Sequence, residues 1–172
     1  MQQGKGRGQV EGIYIIAEQG GPPHPVVEAR LVAGAGIEGD RHFARVRTGT
    51  GAHRPEDELT LIEAEAIEAL ARDYGFALGA GESRRNLVTR GIALNDLVGR
   101  EFRIGAVRAR GIRLCEPCAH LAGMTGKEVL RGLIHRGGLR AEILEGGIVH
   151  VEDPIDAEEG RAALAPPHAP PA

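Results

Sequence analysis

The stretch AVRARGIRL, residues 106–114, indicates a β-strand that leads directly into both cysteines of the chain, Cys115 and Cys118. Two similar strands lie near the N-terminus, QVEGIYIIAE (9–18) and VVEARLVAG (26–34), around a turn rich in glycine and proline. Near the C-terminus, LRAEILEGG and IVHVED predict a closing hairpin. With six or more such strands, the pattern favours an antiparallel sheet or a small barrel.

Two helices are predicted beside these strands. The first is LTLIEAEAIEALARDYG (59–75), which ends at Gly75. The second is TGKEVLRGLIHRGG (125–138), which begins with a capping box and ends at Gly137. The apolar stripe of the first helix comprises Leu59, Ile62, Ala66, Ile67 and Leu70. The capping box of the second comprises Thr125 and Glu128.

Residues 34–58 show no apolar periodicity, so we expect a long loop there. A loop of that length in a compact domain is usually functional or mobile. We expect one domain, residues 9–158, preceded by a flexible N-terminus at residues 1–8. The Ala/Pro-rich segment at residues 159–172 is predicted to be a disordered tail.

Composition narrows the classes of protein to which this chain can belong. Its 172 residues suffice for one domain with a buried core, and 42% are hydrophobic while only 3% are aromatic. The formal net charge of -3 predicts no nucleic-acid partner and no membrane association. No apolar run reaches the roughly 20 residues that cross a bilayer, and no secretory signal is visible, so we expect a cytoplasmic protein.

The cysteine pair in RLCEPCAH (113–120) allows three local interpretations. A redox dithiol is disfavoured because the negative charge of Glu116 opposes a thiolate and because no flanking βαβ pattern is present. A zinc site needs four ligands, and apart from the nearby His120 no second ligand pair follows. On the local sequence alone, the favoured interpretation is two buried thiols that behave as small hydrophobes.

Two polar stretches offer chemistry of a different kind. GIEGDRHF places Arg41 and His42 in the long loop, where a solvated glycine-rich turn is the competing interpretation. SRRNLVTRG concentrates polar side chains within seven positions, and on an extended segment Arg84 and Asn86 would project together. Such a pair suits a phosphate, a carboxylate or a heterocyclic edge, whereas a surface ion-pair stripe is the alternative. The polar residues of this stretch are Arg84, Arg85, Asn86, Thr89 and Arg90.

The chain resembles the MOSC family, named for the C-terminal domain of molybdenum cofactor sulfurase, in five stretches that follow the same order: GIEGDRH, ELTLIEAEAIEAL, SRRNLVTRGI, LVGREFRIG and RLCEPCAHL. GLRAEILEGGIVHVED is similar to that family's final hairpin, so the resemblance spans roughly residues 9–153. It implies a mainly β fold, a MOSC-type β-barrel like that of pyruvate kinase, with a few peripheral helices.

The resemblance implies a site built around the cysteine that follows proline, which is Cys118 here. In relatives that bind molybdenum cofactor this thiolate is a ligand of the metal, and in sulfur-transfer members it is proposed to carry a persulfide. Cys115 is not part of the family motif. The residues expected to bind the cofactor are Arg41, Arg84, Arg85, Asn86 and Thr89.

Physical chemistry is consistent with these implied roles. A thiolate suits a thiophilic metal, and the anionic phosphate and dithiolene of the cofactor need cationic donors. His42 could hydrogen-bond an oxo group or relay a proton, which makes it the second predicted catalytic residue beside Cys118.

The resemblance predicts a molybdenum-cofactor-dependent oxidoreductase that removes oxygen from N-hydroxylated or similar small substrates. Its electrons would come from a separate electron-transfer protein. The alternatives are a sulfurtransferase fed by a sulfur-donor protein and a non-catalytic cofactor carrier. We do not expect pyridoxal phosphate as a cofactor, because the aminotransferase-like part of the sulfurase has no counterpart here and Lys5 and Lys127 lie outside the motifs.

Overall fold

The computed structural model describes residues 6–117, 123 and 128–162. Three α-helices occur there: α1 (Arg41–Thr48), α2 (Ala64–Tyr74) and α3 (Glu128–Gly132). The strands are β1 (Arg7–Ile15), β2 (His24–Val26), β3 (Glu28–Val32), β4 (Gly36–Ile37), β5 (Leu59–Glu63), β6 (Leu87–Arg90), β7 (Arg100–Ile104), β8 (Val107–Leu114), β9 (Leu139–Glu145), β10 (Gly147–His150) and β11 (Pro154–Ala162).

Seven strands of the described chain close into a barrel in the order β1-β11-β7-β8-β9-β5-β6, and β6 returns to β1. The pairs are antiparallel except β5–β6, which is parallel. β2 adds to the other end of β1. Closure leaves the barrel strands without open edges. The predicted mainly β barrel with few helices is confirmed.

Alternation along β8 shows how the sequence builds the barrel wall. Val107 and Ala109 are fully buried, whereas Arg108 and Arg110 between them are only partly covered. The buried side chains of β8 pack with those of neighbouring strands, including Phe102, the largest fully buried side chain. The strand predicted at residues 106–114 is therefore confirmed. It ends at Leu114, directly before Cys115.

The predicted first helix is wrong in its first turn, because Leu59–Glu63 form strand β5. Leu59 and Leu61 face the barrel core, while Ile62 faces α2, so both sides of this strand are apolar. An apolar run buried on both sides imitates a helical stripe. Helix α2 begins only at Ala64, and it ends before Gly75 (φ 65°) as predicted.

The predicted loop at residues 34–58 contains helix α1, which the sequence analysis missed. None of its eight residues is buried, and only Phe43, Ala44 and Val46 are apolar, so the helix is too short and too polar for its periodicity to stand out. Its signals are local instead: the Asp40 side chain caps the N-terminus, and Gly49 (φ 68°) ends the helix. A 3-10 turn at Pro55–Asp57 follows before β5.

The predicted closing hairpin is also wrong. β9 pairs with β8 and β5 in the barrel, whereas β10 pairs with β3 in a separate sheet of order β10-β3-β4. Gly146 alone separates the two strands, and a hairpin turn needs at least about two residues. A Cβ on Gly146 would lie 2.5 Å from the Leu31 carbonyl oxygen, so glycine permits the chain to cross closely from one sheet to the other.

The predicted second helix is shorter in the described residues, where α3 ends at Gly132 rather than at Gly137. Its predicted cap residue Thr125 lies outside them. Gly137 instead marks a close approach, because a Cβ there would lie 2.2 Å from the Cys115 carbonyl oxygen. No helix within the described ranges is long and apolar enough to span a bilayer.

The strands at the two ends reach past the limits predicted for the domain, residues 9 and 158. β1 begins at Arg7 and β11 continues to Ala162. The predicted flexible N-terminus and disordered tail otherwise fall on residues 1–5 and 163–172, outside the described residues, and stay predictions.

Candidate functional site

The Arg-Arg-Asn segment lies at the centre of the candidate site. Arg84 ends a 3-10 turn at Gly81–Ser83 and has a left-handed backbone (φ 60°). It is therefore not extended, and the premise that Arg84 and Asn86 project together from a strand is wrong. The Arg84 guanidinium donates from Nη1 to the Gly21 carbonyl oxygen at 2.9 Å.

Asn86 is buried and ties three elements together. Its Oδ1 accepts from the Thr60 hydroxyl at 2.9 Å and from the Thr60 backbone N–H at 3.3 Å. Its Nδ2 donates to the Tyr14 carbonyl oxygen and to Asp40 Oδ2, both at 3.3 Å. These contacts use every donor and acceptor of the amide. Cofactor binding by Asn86 stays a prediction, and it would have to replace one of these bonds.

Asp40 fixes the start of helix α1, and the sequence analysis did not select it. Its carboxylate accepts from the His42 backbone N–H at 3.0 Å and from the Ile16 backbone N–H at 3.1 Å, besides Asn86. The side chain is only 3% exposed. Arg41 and His42 follow the capping residue directly. The hydrogen bonds of Asp40 therefore fix the backbone from which both of their side chains project. The signal that could have found Asp40 is its position as a helix N-cap.

Positive charge accumulates around Arg41. Burial lowers the pKa of Arg41, and the positive charges of Arg84, Arg45 and Arg140 lower it further, while Asp40 raises it. The Asp40 carboxylate lies 3.9 Å from the Arg41 guanidinium, a loose ion pair. Arginine stays protonated at neutral pH. We call Arg41, Arg45, Arg84 and Arg140 the cationic cluster, and such a cluster attracts an anion.

His42 lies beside this cluster and is largely buried. Burial, followed by the positive charge of Arg41, lowers the pKa of His42 from its ordinary 6.5, while Asp40 and Asp57 raise it. The imidazole is therefore neutral at pH 7. A neutral imidazole has one donor nitrogen and one acceptor nitrogen, as its predicted proton-relay role requires.

The Arg85 side chain is hydrogen-bonded to the backbone at the start of the cysteine motif. Its guanidinium donates to the carbonyl oxygens of Gly137 at 2.9 Å, Ser83 at 3.1 Å and Cys115 at 3.2 Å. The Cys115 backbone N–H donates to the Gly138 carbonyl oxygen at 2.7 Å. Arg85 is buried, so its charge is solvated by these backbone dipoles. Its predicted contact with a cofactor stays a prediction.

The two cysteines differ in what the structure says of them. Cys115 is a free thiol, 2% exposed, and packs as a core residue at the end of β8. Cys118, the predicted metal ligand, lies outside the described residues, and its role stays a prediction. Thr89 is fully buried in β6, and its hydroxyl donates to the Ile62 carbonyl oxygen at 3.3 Å, so its predicted cofactor contact also stays a prediction.

A pocket of about 290 Å³ lies between α1 and the segment that precedes β5. It brings His42 together with residues that the sequence analysis did not select. Arg45 follows Arg41 at helical spacing of four, which would have placed both on one face had α1 been predicted. The pocket is lined by Ala35, His42, Arg45, Val46, Ala52, His53, Arg54, Asp57 and Glu58.

Comparison with known proteins places the sequence in a family. The family model described as MOSC domain matches residues 38–156. This range contains α1, the Arg-Arg-Asn segment and both cysteines. No curated protein matches the chain significantly.

Comparison with solved structures supports the same fold. The YuaD protein from Bacillus subtilis superimposes with a TM-score of 0.73 at 17% identity, over 88% of this chain and 95% of that one. YiiM from Escherichia coli gives 0.66 at 19% identity, over 90% and 71%. YiiM from Geobacillus stearothermophilus gives 0.66 at 15% identity, over 88% and 75%. At these identities the likeness establishes a shared fold.

Proposed function

Because this chain belongs to the MOSC family, we propose that it binds molybdenum cofactor and removes oxygen from N-hydroxylated or similar small substrates. One observation carries the proposal: the Arg-Arg-Asn segment contacts two other stretches that lie far from it in sequence. Asn86 contacts Asp40, which starts α1, at 3.3 Å. The neighbouring Arg85 contacts the Cys115 carbonyl oxygen at 3.2 Å.

The charges at this place fit the cofactor. Its phosphate and dithiolene are anionic, and the cationic cluster offers guanidinium groups that bind phosphate well. The dithiolene itself ligates the metal, so the protein needs to add only a thiolate. That agrees with the described residues, among which no group of three or more His, Cys, Asp or Glu could hold a metal ion alone.

Each residue then has a proposed role. Arg41 and Arg84 would bind the anionic part of the cofactor, and Cys118 would ligate the metal. Asn86 and Arg85 position these groups through Asp40 and Cys115. When bound, the cofactor would supply two-electron oxygen-atom transfer.

The overall reaction is a balanced reduction. The N–O bond of the substrate breaks, an N–H bond forms, and water leaves. Two electrons from a separate reductase and two protons from solvent are consumed. Neutral His42, with one donor and one acceptor nitrogen, is the group we propose passes a proton on this route.

The test is metal and pterin analysis of the full chain purified from a host that makes the cofactor. We expect near-stoichiometric molybdenum and pterin, and Cys118→Ala should remove the metal. Cys115→Ala is the matched control, and it should retain molybdenum because the Cys115 thiol packs in the core.

Other results would overturn the proposal in different ways. Metal-free protein that carries a cyanide-labile sulfur on Cys118 would indicate a sulfurtransferase. Protein that binds the cofactor but turns over no N-hydroxylated substrate with a chemical reductant would indicate a carrier. Equal loss of metal in Cys118→Ala and Cys115→Ala would contradict the single-thiol site.

A further inference from the structure

The pocket beside α1 is lined by residues of different character. Ala35, Val46 and Ala52 supply an aliphatic lining, and Arg45 and Arg54 supply guanidinium groups. Its volume of about 290 Å³ lies at the lower end of the range for pockets that bind small molecules. The pocket therefore suits a small organic ligand with one charged group.

The two guanidiniums have no carboxylate partner in the part of the chain that the structure describes. Within the described ranges, the side chains of Arg45 and Arg54 make no hydrogen bond and no ion pair. Both residues are exposed, and unpaired guanidinium groups at a pocket favour an anionic ligand. The pocket also adjoins Arg41, whose pKa is lowered in part by the charge of Arg45.

The carboxylates of the pocket do not neutralise these cations, because both are already engaged. Asp57 accepts from the Arg140 guanidinium at 2.6 Å. Glu58 is 2% exposed, and its Oε1 lies 2.6 Å from His53 Nε2. Its Oε2 accepts from the Ile143 backbone N–H at 2.9 Å. The unsatisfied charge in the pocket is therefore positive.

Gly51 determines where the Arg45 guanidinium lies. A Cβ on Gly51 would come within 2.8 Å of Arg45 Nε and 2.9 Å of Nη2. Only a residue without a side chain lets the guanidinium rest against this loop. Substitution of Gly51 would thus displace the Arg45 side chain without changing any charge.

We propose that this pocket binds the carboxylate of a small organic anion between Arg45 and Arg54, with its body against the aliphatic wall. A planar guanidinium matches a planar carboxylate with two parallel hydrogen bonds, and the aliphatic wall would gain nothing from an inorganic ion. His42 lines both this pocket and the site proposed for the cofactor. On the proposed function, the bound anion is the substrate, anchored beside the reacting centre.

Binding of benzoate to the purified full chain tests the proposal directly. Titration calorimetry should detect benzoate binding, and benzamide, its uncharged counterpart, should bind at least about tenfold more weakly, which corresponds to about 1.4 kcal/mol. Arg45→Gln and Arg54→Gln should each weaken benzoate binding about tenfold. Arg47→Gln is the matched control, because Arg47 lies on the same helix over the Phe43 ring (6.0 Å) and does not line the pocket.

Gly51→Ala provides a second test that leaves all charges in place. It should weaken benzoate binding by displacing Arg45, while the circular dichroism spectrum stays unchanged. Equal affinity for benzoate and benzamide, an unaffected affinity in Arg45→Gln, or tighter binding of inorganic phosphate than of benzoate would each overturn the carboxylate site. An equal loss in Arg47→Gln would also overturn it.

A second measurement distinguishes a failure of the anion-pocket proposal from a failure of the proposed function. Molybdenum content of the same preparation is measured in parallel. Protein that contains molybdenum but fails to bind benzoate contradicts the anion pocket alone. Protein that binds benzoate through Arg45 and Arg54 but contains no molybdenum contradicts the cofactor proposal alone.

Discussion

Two groups of arginines in this barrel are surrounded differently. On the outer face of β7, β8, β9 and β11, Arg110 lies 3.0 Å from Glu101 and Arg103 lies 3.1 Å from Glu158. Arg108 bonds to Glu101 and lies 3.1 Å from Glu145. We call this group the ion-pair face; its members are Arg103, Arg108, Arg110, Glu101, Glu142, Glu145 and Glu158.

The cationic cluster has far fewer counter-ions. Arg140 is bound to Asp57, but Arg41 has only a loose contact with Asp40, and Arg45 and Arg84 have no carboxylate partner in the described chain. Like charges held together without counter-ions oppose folding, whereas alternating charges support it. The ion-pair face therefore stabilises the barrel, while the cluster retains charge that a ligand can neutralise.

Arg85 belongs to neither group, and three of its partners are backbone carbonyl oxygens. Arg85→Met should lower the free energy of unfolding by about 3 kcal/mol, since the carbonyls of Ser83, Cys115 and Gly137 lose their donor. Urea denaturation followed by circular dichroism measures this, as the chain has no Trp. Arg84→Met, the neighbouring control, should cost much less, and equal losses would contradict the assignment.

Removal of Glu101 should turn part of the ion-pair face into a cluster of unpaired cations. Glu101→Gln should lower the melting temperature by about 5 °C at pH 7, because the buried carboxylate bonds to both Arg108 and Arg110. Glu145→Gln, on the same face but 56% exposed, is the control and should change it by less than about 2 °C.

The effect of Glu101 should depend on pH in a defined direction. Hydrogen bonds from Arg110 and then Arg108 lower the pKa of Glu101 below its ordinary 4.5. The unfolded chain therefore binds a proton first as pH falls, so this contribution is complete above pH 4.5 and disappears as pH falls through the lowered pKa. The melting temperatures of wild type and Glu101→Gln should converge at the lowest pH, and a constant difference would contradict this.

The smallest expected effect comes from the cluster and has the opposite sign. Arg45→Gln should raise the melting temperature by about 1 °C in low salt, because it removes repulsion without removing a bond. The gain should vanish in high salt, where the repulsion is screened. Thermal unfolding at two salt concentrations measures this, with Arg47→Gln as the control. A loss of stability in low salt would contradict the repulsion between Arg45 and its neighbours.

Prediction from the sequence worked where local alternation and burial agreed. The strand over residues 106–114 was found because Val107 and Ala109 alternate with arginines along it. Prediction failed at β5, because both faces of this strand are buried and its continuous apolar run resembles a helical stripe. It also failed at α1, where no residue is buried. Periodicity reports contact with a core, so elements that contact two cores or none are missed.

Residues of the candidate site could likewise be predicted only where the signal was local. The Arg-Arg-Asn and Asp-Arg-His motifs were selected because their side chains are chemically unusual in a row. Arg45, His53 and Glu58 were not, because they come together in the pocket only when the fold brings α1 beside the segment that precedes β5. Glu58, for example, bonds to the backbone of Ile143 across the fold.

The sequence by itself determined most strands, the order of the polar motifs and the family to which the chain belongs, because these depend on the identities and spacing of neighbouring residues. The tertiary structure alone decided that β9 and β10 part into different sheets, that Asn86 meets Asp40, and that Arg45 and Arg54 have no carboxylate partner among the described residues. Those outcomes depend on pairing and burial between distant segments. Local propensity carries no information about such contacts.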